Sequence, residues 1–397
     1  MQLKSTINLK SMYCSLSAIF IFLLSTGFII YHSFLNESLI PPFLGGFFGP
    51  VAALSFIFFL PTFIRVINDS VKANAFLFLI GISSLIIAFI VTATNSINGI
   101  KEVHLQSYEL IFYWITMYVL GFYFLQSDKR KILKYNTIFL TIYTIYAIYF
   151  LISEGRVMLN FGLSEEETAS NYQSIARSFL IIALIVISYA KKISHEILFS
   201  AVSFFLLFIV GARSEFYAFI ILLLLYHSIF TFKKKSSLVI LTLSIAVVSA
   251  IFIKYFDVIS QSRQFQVLDL GTTGSWNVRE TFKEYALLQI SQNPFWGSFG
   301  SHASLGTVGA YSHNVLSGYV NYGLFFFLSY LLFFSWAAFY STVKMFENPN
   351  DKDWKFCSLT LIIMLFLVLT AKPVFWPVLY LSFGIFMSKL LLYKKSR

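Results

Sequence analysis

Runs of about 20 apolar residues recur along almost the whole of this chain, and no other feature restricts its fold as strongly. A helix rises about 1.5 Å per residue, so a run of that length matches the hydrocarbon core of a bilayer. The runs fall near residues 15–31, 43–64, 75–94, 108–125, 137–153, 172–190, 197–211, 216–232, 237–256, 315–343, 356–371 and 373–391. Composition agrees: 58% of the 397 residues are hydrophobic and 12% charged, whereas a soluble domain carries about 25% charged residues. The chain therefore reads as an all-α polytopic membrane protein with about twelve transmembrane helices. The first run lacks a small-residue cleavage pattern and is expected to be a retained helix rather than a signal peptide. Cys14 and Cys357 lie in separate runs near the same expected membrane face, and imply no disulfide framework.

The net charge of +11 could suggest nucleic acid, but the placement of the basic residues gives it another meaning. Lys4 and Lys10, Arg65 and Lys72, Lys129-Arg130-Lys131 with Lys134, Lys191-Lys192, and Lys233-Lys234-Lys235 fall on alternate connections. Lys344, Lys352 and Lys355, then Lys394-Lys395 with Arg397, continue the alternation. Basic residues concentrate on cytoplasmic loops, so this pattern predicts a multi-pass protein of the cytoplasmic membrane with both termini inside. The excess charge is a topology signal, and no nucleic-acid partner is expected. Glu165-Glu166-Glu167, on an outward connection, reads as solvated surface. No internal repeat of 20–50 residues and no clear pairing of the two halves is found, which weakens an inverted-repeat transporter reading.

One interval breaks the apolar regime. From Trp276 to Gly323 the chain is polar and Gly-rich, and the connection from Asp257 to Tyr311 is by far the longest on the outward side. Function is sought there first. The expected organisation is transmembrane helices over 1–256, an extracytoplasmic loop with short helices over 257–313, and the last transmembrane helices over 314–397. Asn277 with Glu280 three residues on resembles a capping box, which predicts a helix start at Asn277. Phe282, Ala286 and Ile290, flanked by Tyr285 and Gln289 and led by Arg279, would form its inward face. Asn293-Pro294 should stop it. Gly297, Gly300, Gly306 and Gly309 follow in a spacing that is neither a Walker nor a dinucleotide pattern.

A cation within or beside a membrane segment is costly unless it faces protein or water. Arg177 and Lys254 lie near expected helix ends, where snorkelling to the interface is the plain explanation. Arg213 sits in the tight turn Gly211-Ala212-Arg213-Ser214-Glu215, and its forked guanidinium suits a pair of phosphate oxygens. His313-Asn314 leads straight into the helix starting near Val315. The positive end of the helix dipole disfavours imidazolium, so His313 is expected neutral and able to take a proton, unless it only caps the helix. His302, His104, His195, His32 and His227 have no comparable context.

These segments together resemble the bacterial O-antigen ligase and polymerase superfamily. The resemblance rests on the Gly-Ala-Arg-Ser turn, the loop helix opened by Arg279 and ending in Asn-Pro-Phe-Trp-Gly-Ser-Phe-Gly, and His313-Asn314 followed by Val-Leu-Ser-Gly-Tyr-Val-Asn-Tyr-Gly-Leu. It covers roughly residues 200–330. It implies a metal-independent glycosyltransferase of GT-C type architecture, without a cofactor, using undecaprenyl-diphosphate-linked oligosaccharide at the outer face of the cytoplasmic membrane. It also implies that Arg213 and Arg279 clamp the donor diphosphate, and that His313 is the general base or, with Asn314, orients the acceptor. Elementary chemistry agrees. A diphosphate leaving group needs fixed positive charge, and an alcohol nucleophile gains from a neutral imidazole. Asp257, Asp269, Glu280 and Glu284 are too scattered to form a metal site.

Within the superfamily, a polymerase joins lipid-linked repeat units, whereas a ligase moves the finished chain onto lipid A-core. Gly-Ala-Arg-Ser-Glu with Ser-His-Asn-Val-Leu-Ser more closely resembles the repeat-unit polymerases, whose expected partners are a chain-length regulator and a flippase. Against the alternative of another class, a lipid-linked oligosaccharide flippase, stand the large outward loop, which a flippase does not need, and the scarcity of charged residues in mid-membrane positions along a translocation path.

Overall fold

The computed structural model describes residues 2–41, 46–95, 100–154, 165–231, 274–306 and 309–396. The expected run at 237–256, with Lys233–Lys235, Lys254, Asp257 and Asp269, lies outside them. Every other run falls on a helix, and no β-strand occurs among the described residues. The helices are α1 (Gln2–Phe22), α2 (Phe28–Asn36), α3 (Phe48–Phe59), α4 (Phe63–Thr94), α5 (Lys101–Phe124), α6 (Lys129–Glu154) and α7 (Glu165–Tyr189). They continue with α8 (Ile193–Val210), α9 (Arg213–Thr231), α10 (Gly274–Gln292), α11 (Leu316–Glu347), α12 (Lys352–Thr370) and α13 (Val378–Lys395). Seven helical segments among the described residues are long and apolar enough to cross a membrane.

The runs at 43–64 and 75–94 are not separated by a loop. One 47-residue helical stretch, Phe48–Thr94, carries both, bending through a tight 3₁₀ turn at Leu60–Thr62 and again at Asn74. Asn74 leaves helical geometry and its side-chain oxygen accepts from Leu77 N at 3.1 Å, so it caps the helix that resumes.

The chain forms two compact units. The first comprises residues 1–21, 48–129 and 274–397, the second 22–47 and 130–273. In the first, α5 and α13 cross so closely that a Cβ on Gly384 would overlap the Tyr118 carbonyl oxygen, and one on Gly121 that of Leu381. Trp114 stacks on Tyr380 at 4.7 Å and on Phe326 at 6.1 Å, joining α11 to that pair. Elsewhere the helices turn large apolar side chains outward: Phe325, Leu332 and Phe339 on α11, Phe76 and Leu79 on α4. A surface of that kind suits lipid as solvent.

The same unit has two chemically different ends. At one, Lys394 donates to the Lys72 carbonyl (3.0 Å), and Lys389 pairs with Asp351 (2.7 Å). Lys10, Arg65 and Lys129 share the surroundings of Cys14. Within this unit, basic residues from several of the alternate connections thus lie at one end. The other end holds the start of α11, the end of α12 and the loop before α11, tied by Val374 N donating to Ser317 Oγ (3.0 Å).

In the second unit α7 is buried along almost its whole length from Ile175 to Tyr189. Arg177, expected to snorkel, is instead buried (8% exposed) with its guanidinium over the Phe28 ring at 5.6 Å. The planar, weakly hydrated guanidinium tolerates this better than an ammonium would.

Candidate functional site

The site is built on a break in α11. Gly323 departs from the helix at φ 79° and ψ −176°, a region open essentially to glycine alone. The break frees backbone groups, and the loop after α10 takes them: Leu324 N donates to Phe295 O (3.0 Å) and Ser298 N to Val320 O (2.6 Å). Gly300 N adds a bond to Asn321 Oδ1 (3.0 Å). Gly297, at φ 73°, lies so close that a Cβ there would stand 2.5 Å from Val320 O. The Gly-rich segment is therefore fastened to α11, and α10 is fixed relative to the residues that start α11.

Helix α10 begins at Gly274, three residues before the expected capping box. Glu280 reaches forward to Lys283 (2.8 Å) rather than back to Asn277, since an i,i+3 ion pair on an exposed face competes with a box that a running helix no longer needs. The end of the helix at Gln292 agrees with the proline stop. Its inward face is the expected one, with Ala286 buried and Arg279, Phe282 and Tyr285 half-buried, while Val278, Leu287 and Leu288 point outward.

His313 lies three residues before α11, half-buried, between the rings of Phe282 (6.3 Å) and Tyr311 (5.7 Å). Its pKa is pushed down to about 4, first by burial, then by the positive charges of Arg279 and Lys372. A neutral imidazole is thus the resting form at physiological pH. Asn314 Oδ1 accepts from Leu316 N and Ser312 Oγ, both at 2.9 Å, so this oxygen caps the start of α11. An adjoining crevice, with room for little more than a single water, is walled by Phe282, Tyr285, His302, Tyr311, Ser317 and Asn321. His302 is 3% exposed and meets Tyr311 edge-on at 5.6 Å.

The structure therefore brings Arg279 and His313 together within one unit. Arg213 belongs to the other. There it opens α9, directly after Gly211 ends α8 in left-handed geometry at φ 80°. It is half-buried, within electrostatic reach of Tyr217 one turn on. A guanidinium at the positive end of a helix suits an anion contacted by both.

Two residues of this neighbourhood were not assigned to the site from the sequence. Lys372 was overlooked because it is the single residue between the last two apolar runs, although a lysine on the lysine-poor side was itself a signal. His302 has no motif, and only the fold places it against Tyr311. No protein-family model matches the chain, and no curated protein matches it.

Proposed function

We propose that this chain is a membrane glycosyltransferase, an O-antigen repeat-unit polymerase acting on undecaprenyl-diphosphate-linked oligosaccharides at the outer face of the cytoplasmic membrane. The observation that carries the reading is a neutral, ring-flanked His313 held beside Arg279 by a loop stitched into a broken helix. That pairing suits a reaction in which a hydroxyl loses a proton while a diphosphate gains negative charge. The acceptor hydroxyl oxygen attacks the anomeric carbon of the donor sugar. The bond from that carbon to the diphosphate oxygen breaks, the electron pair leaves with undecaprenyl diphosphate, and the proton passes to His313 Nδ1 or Nε2. Arg279 meets the leaving phosphates, and Arg213 keeps the diphosphate role that the resemblance implies.

The finer topology belongs to the same proposal: about twelve spans, GT-C type architecture, both termini cytoplasmic, and the His313 end outward. The collection of basic residues at the opposite end supports this orientation. Labelling a cysteine at exposed Leu305 in intact cells is the check, with labelling expected there and none at Lys234→Cys.

A deletion strain tests the reaction. Loss of a polymerase leaves a single repeat unit on the lipid A-core, because ligation still works. Bare core with long lipid-linked chains retained would instead identify a ligase, and unchanged surface polysaccharide would remove both readings.

A further inference from the structure

Residues 285–343 contain no Asp, Glu, Lys or Arg. That is expected of α11, which is long and apolar enough to cross a membrane, but not of the loop before it, since a segment in water carries about 25% charged residues. The turn that closes α10 is apolar as well as uncharged. Pro294 stands just past the end of the helix, and Phe295 and Trp296 then point away from the protein, with 80% of Trp296 exposed. The polar groups of the turn are occupied from within. Gly297 N donates to Asn293 O (3.0 Å), Asn293 Nδ2 to Ser298 Oγ (2.9 Å), and Phe295 O and Ser298 N bond to α11.

The position of these two side chains says what covers them. On α11, Phe325, Leu328, Leu332, Trp336 and Phe339 are exposed at three- and four-residue spacing, while Tyr330, Phe334 and Ala337 are buried. This is one apolar stripe along a helix whose other side is packed. Phe325 heads the stripe, two residues after the break at Gly323, and the Trp296 ring stands 6.3 Å from it. The turn therefore continues the stripe past the point where α11 loses helical geometry. Non-helical backbone is tolerated at membrane depth only where protein covers its polar groups, and here Phe295 and Ser298 bond the groups on either side of the break. Tryptophan, an apolar ring with a single N–H donor, favours the boundary between acyl chains and headgroups. A stacking platform for a sugar would need polar groups set beside the indole, whereas its neighbours in the chain are Phe295 and Gly297.

We propose that the turn at residues 293–297 is a lipid-binding anchor, with Phe295 and Trp296 seated in the membrane–water interface on the side of the His313 site, against phospholipid. The inference rests on the chain crossing a membrane and not on the glycosyl-transfer reading. Because the same turn is stitched to α11, lipid contact here sets the depth at which α10 ends.

The test uses the full-length chain in phosphatidylcholine vesicles, with the emission of Trp296 obtained as the difference between wild type and Trp296→Phe. Phosphatidylcholine brominated high on its acyl chains should remove about half of this component, as expected for an interfacial depth, and lipid brominated near the chain ends should remove less. Aqueous iodide should reach it less well than it reaches free tryptophan. A component open to iodide and untouched by brominated lipid overturns the inference, and its shielding by free oligosaccharide would identify a sugar platform instead. A component that neither quencher reaches means that protein covers the turn, and overturns it too. Should Trp296→Phe not fold, the wild-type protein decides: phosphatidylcholine with a photoreactive diazirine high on its chain should label the peptide containing Phe295 and Trp296, and labelling of α11 without that peptide overturns the proposal. Each of these failures leaves the glycosyl-transfer reading intact, since that reading needs Arg279 and His313 but not this contact.

Discussion

Two buried lysines of one unit, Lys389 and Lys372, differ in how the fold uses their charge. They are 7% and 5% exposed. Lys389 meets Asp351 at 2.7 and 2.9 Å, has Asp353 at 3.9 Å, and lies over the Trp354 ring at 5.4 Å. Its charge is answered within the fold, and Asp351 also caps α12 by accepting from Asp353 N and Trp354 N. Lys372 is one of two positive charges, with Arg279, that disfavour a protonated His313. One end of the unit spends charge on holding helices together, whereas the other accumulates charge around a base. A base whose titration is displaced in this way is a candidate functional site.

The largest expected effect strikes the second end alone. His313→Ala should lower turnover on the order of a hundredfold or more with lipid-linked donor, because the proton loses its acceptor, and the thermal midpoint should hold. Arg279→Lys keeps the charge but not the fork, and should cost about tenfold. Near wild-type turnover in both variants would break the contrast between the ends.

Next comes the break that holds the site. Gly323→Ala must place a side chain at φ 79° with its Cβ 2.5 Å from Phe295 O, at a cost of about 1–3 kcal/mol in backbone strain. The loop after α10 should detach from α11, and turnover should fall about tenfold or more as Arg279 loses its place beside His313. Hydrogen exchange at Ser298 and Leu324, whose amides bond across the break, should rise together. Unchanged protection there would mean that the loop is held by something else.

Substitutions at the first end should do the reverse. Asp351→Asn keeps a capping oxygen but leaves Lys389 with only the longer contact to Asp353, and should destabilise by about 1–2 kcal/mol, less than for a fully buried pair because Asp351 is partly exposed. Turnover per folded molecule should not change. Lys372→Gln should shift the titration of His313 more than it shifts stability, since the charge it removes is one of the two that disfavour the imidazolium. Equal destabilisation by the two substitutions would erase the distinction.

The helices were legible because lipid imposes a length and an apolar pattern that a sequence carries openly. The inward face of α10 was legible too, as Arg279, Phe282 and Ala286 follow helical spacing and Asn293-Pro294 forbids continuation. The break at Gly323 was not. It lies inside a run apolar enough to read as one helix, and depends on backbone groups of Phe295 and Ser298 that only the fold delivers. Lys372 was hidden for a similar reason, standing alone between two apolar runs. Asn277 misled because a capping box is a local pattern, and the helix had already begun at Gly274.

The finest difference between the ends is a pH dependence. Free imidazole titrates near pH 6.5, but the folded protein holds His313 at about 4 through burial, Arg279 and Lys372. Because the folded pKa lies below the unfolded one, the unfolded chain takes up this proton first as pH falls from about 6.5 towards about 4. Stability must therefore decline through that window and level off below it, and His313→Ala should remove that contribution. For activity, kcat/KM reports the free enzyme and kcat the bound complex. The acidic limb of kcat/KM should lie at about 4. A diphosphate bound at Arg279, as proposed, would offset that charge, so the limb of kcat should lie higher, towards the ordinary histidine range. Lys372→Gln should move the free-enzyme limb upward and narrow the separation between the two profiles. Coincident limbs at the ordinary histidine value, unmoved by Lys372→Gln, would mean that the charge collected at this end does not act on the base.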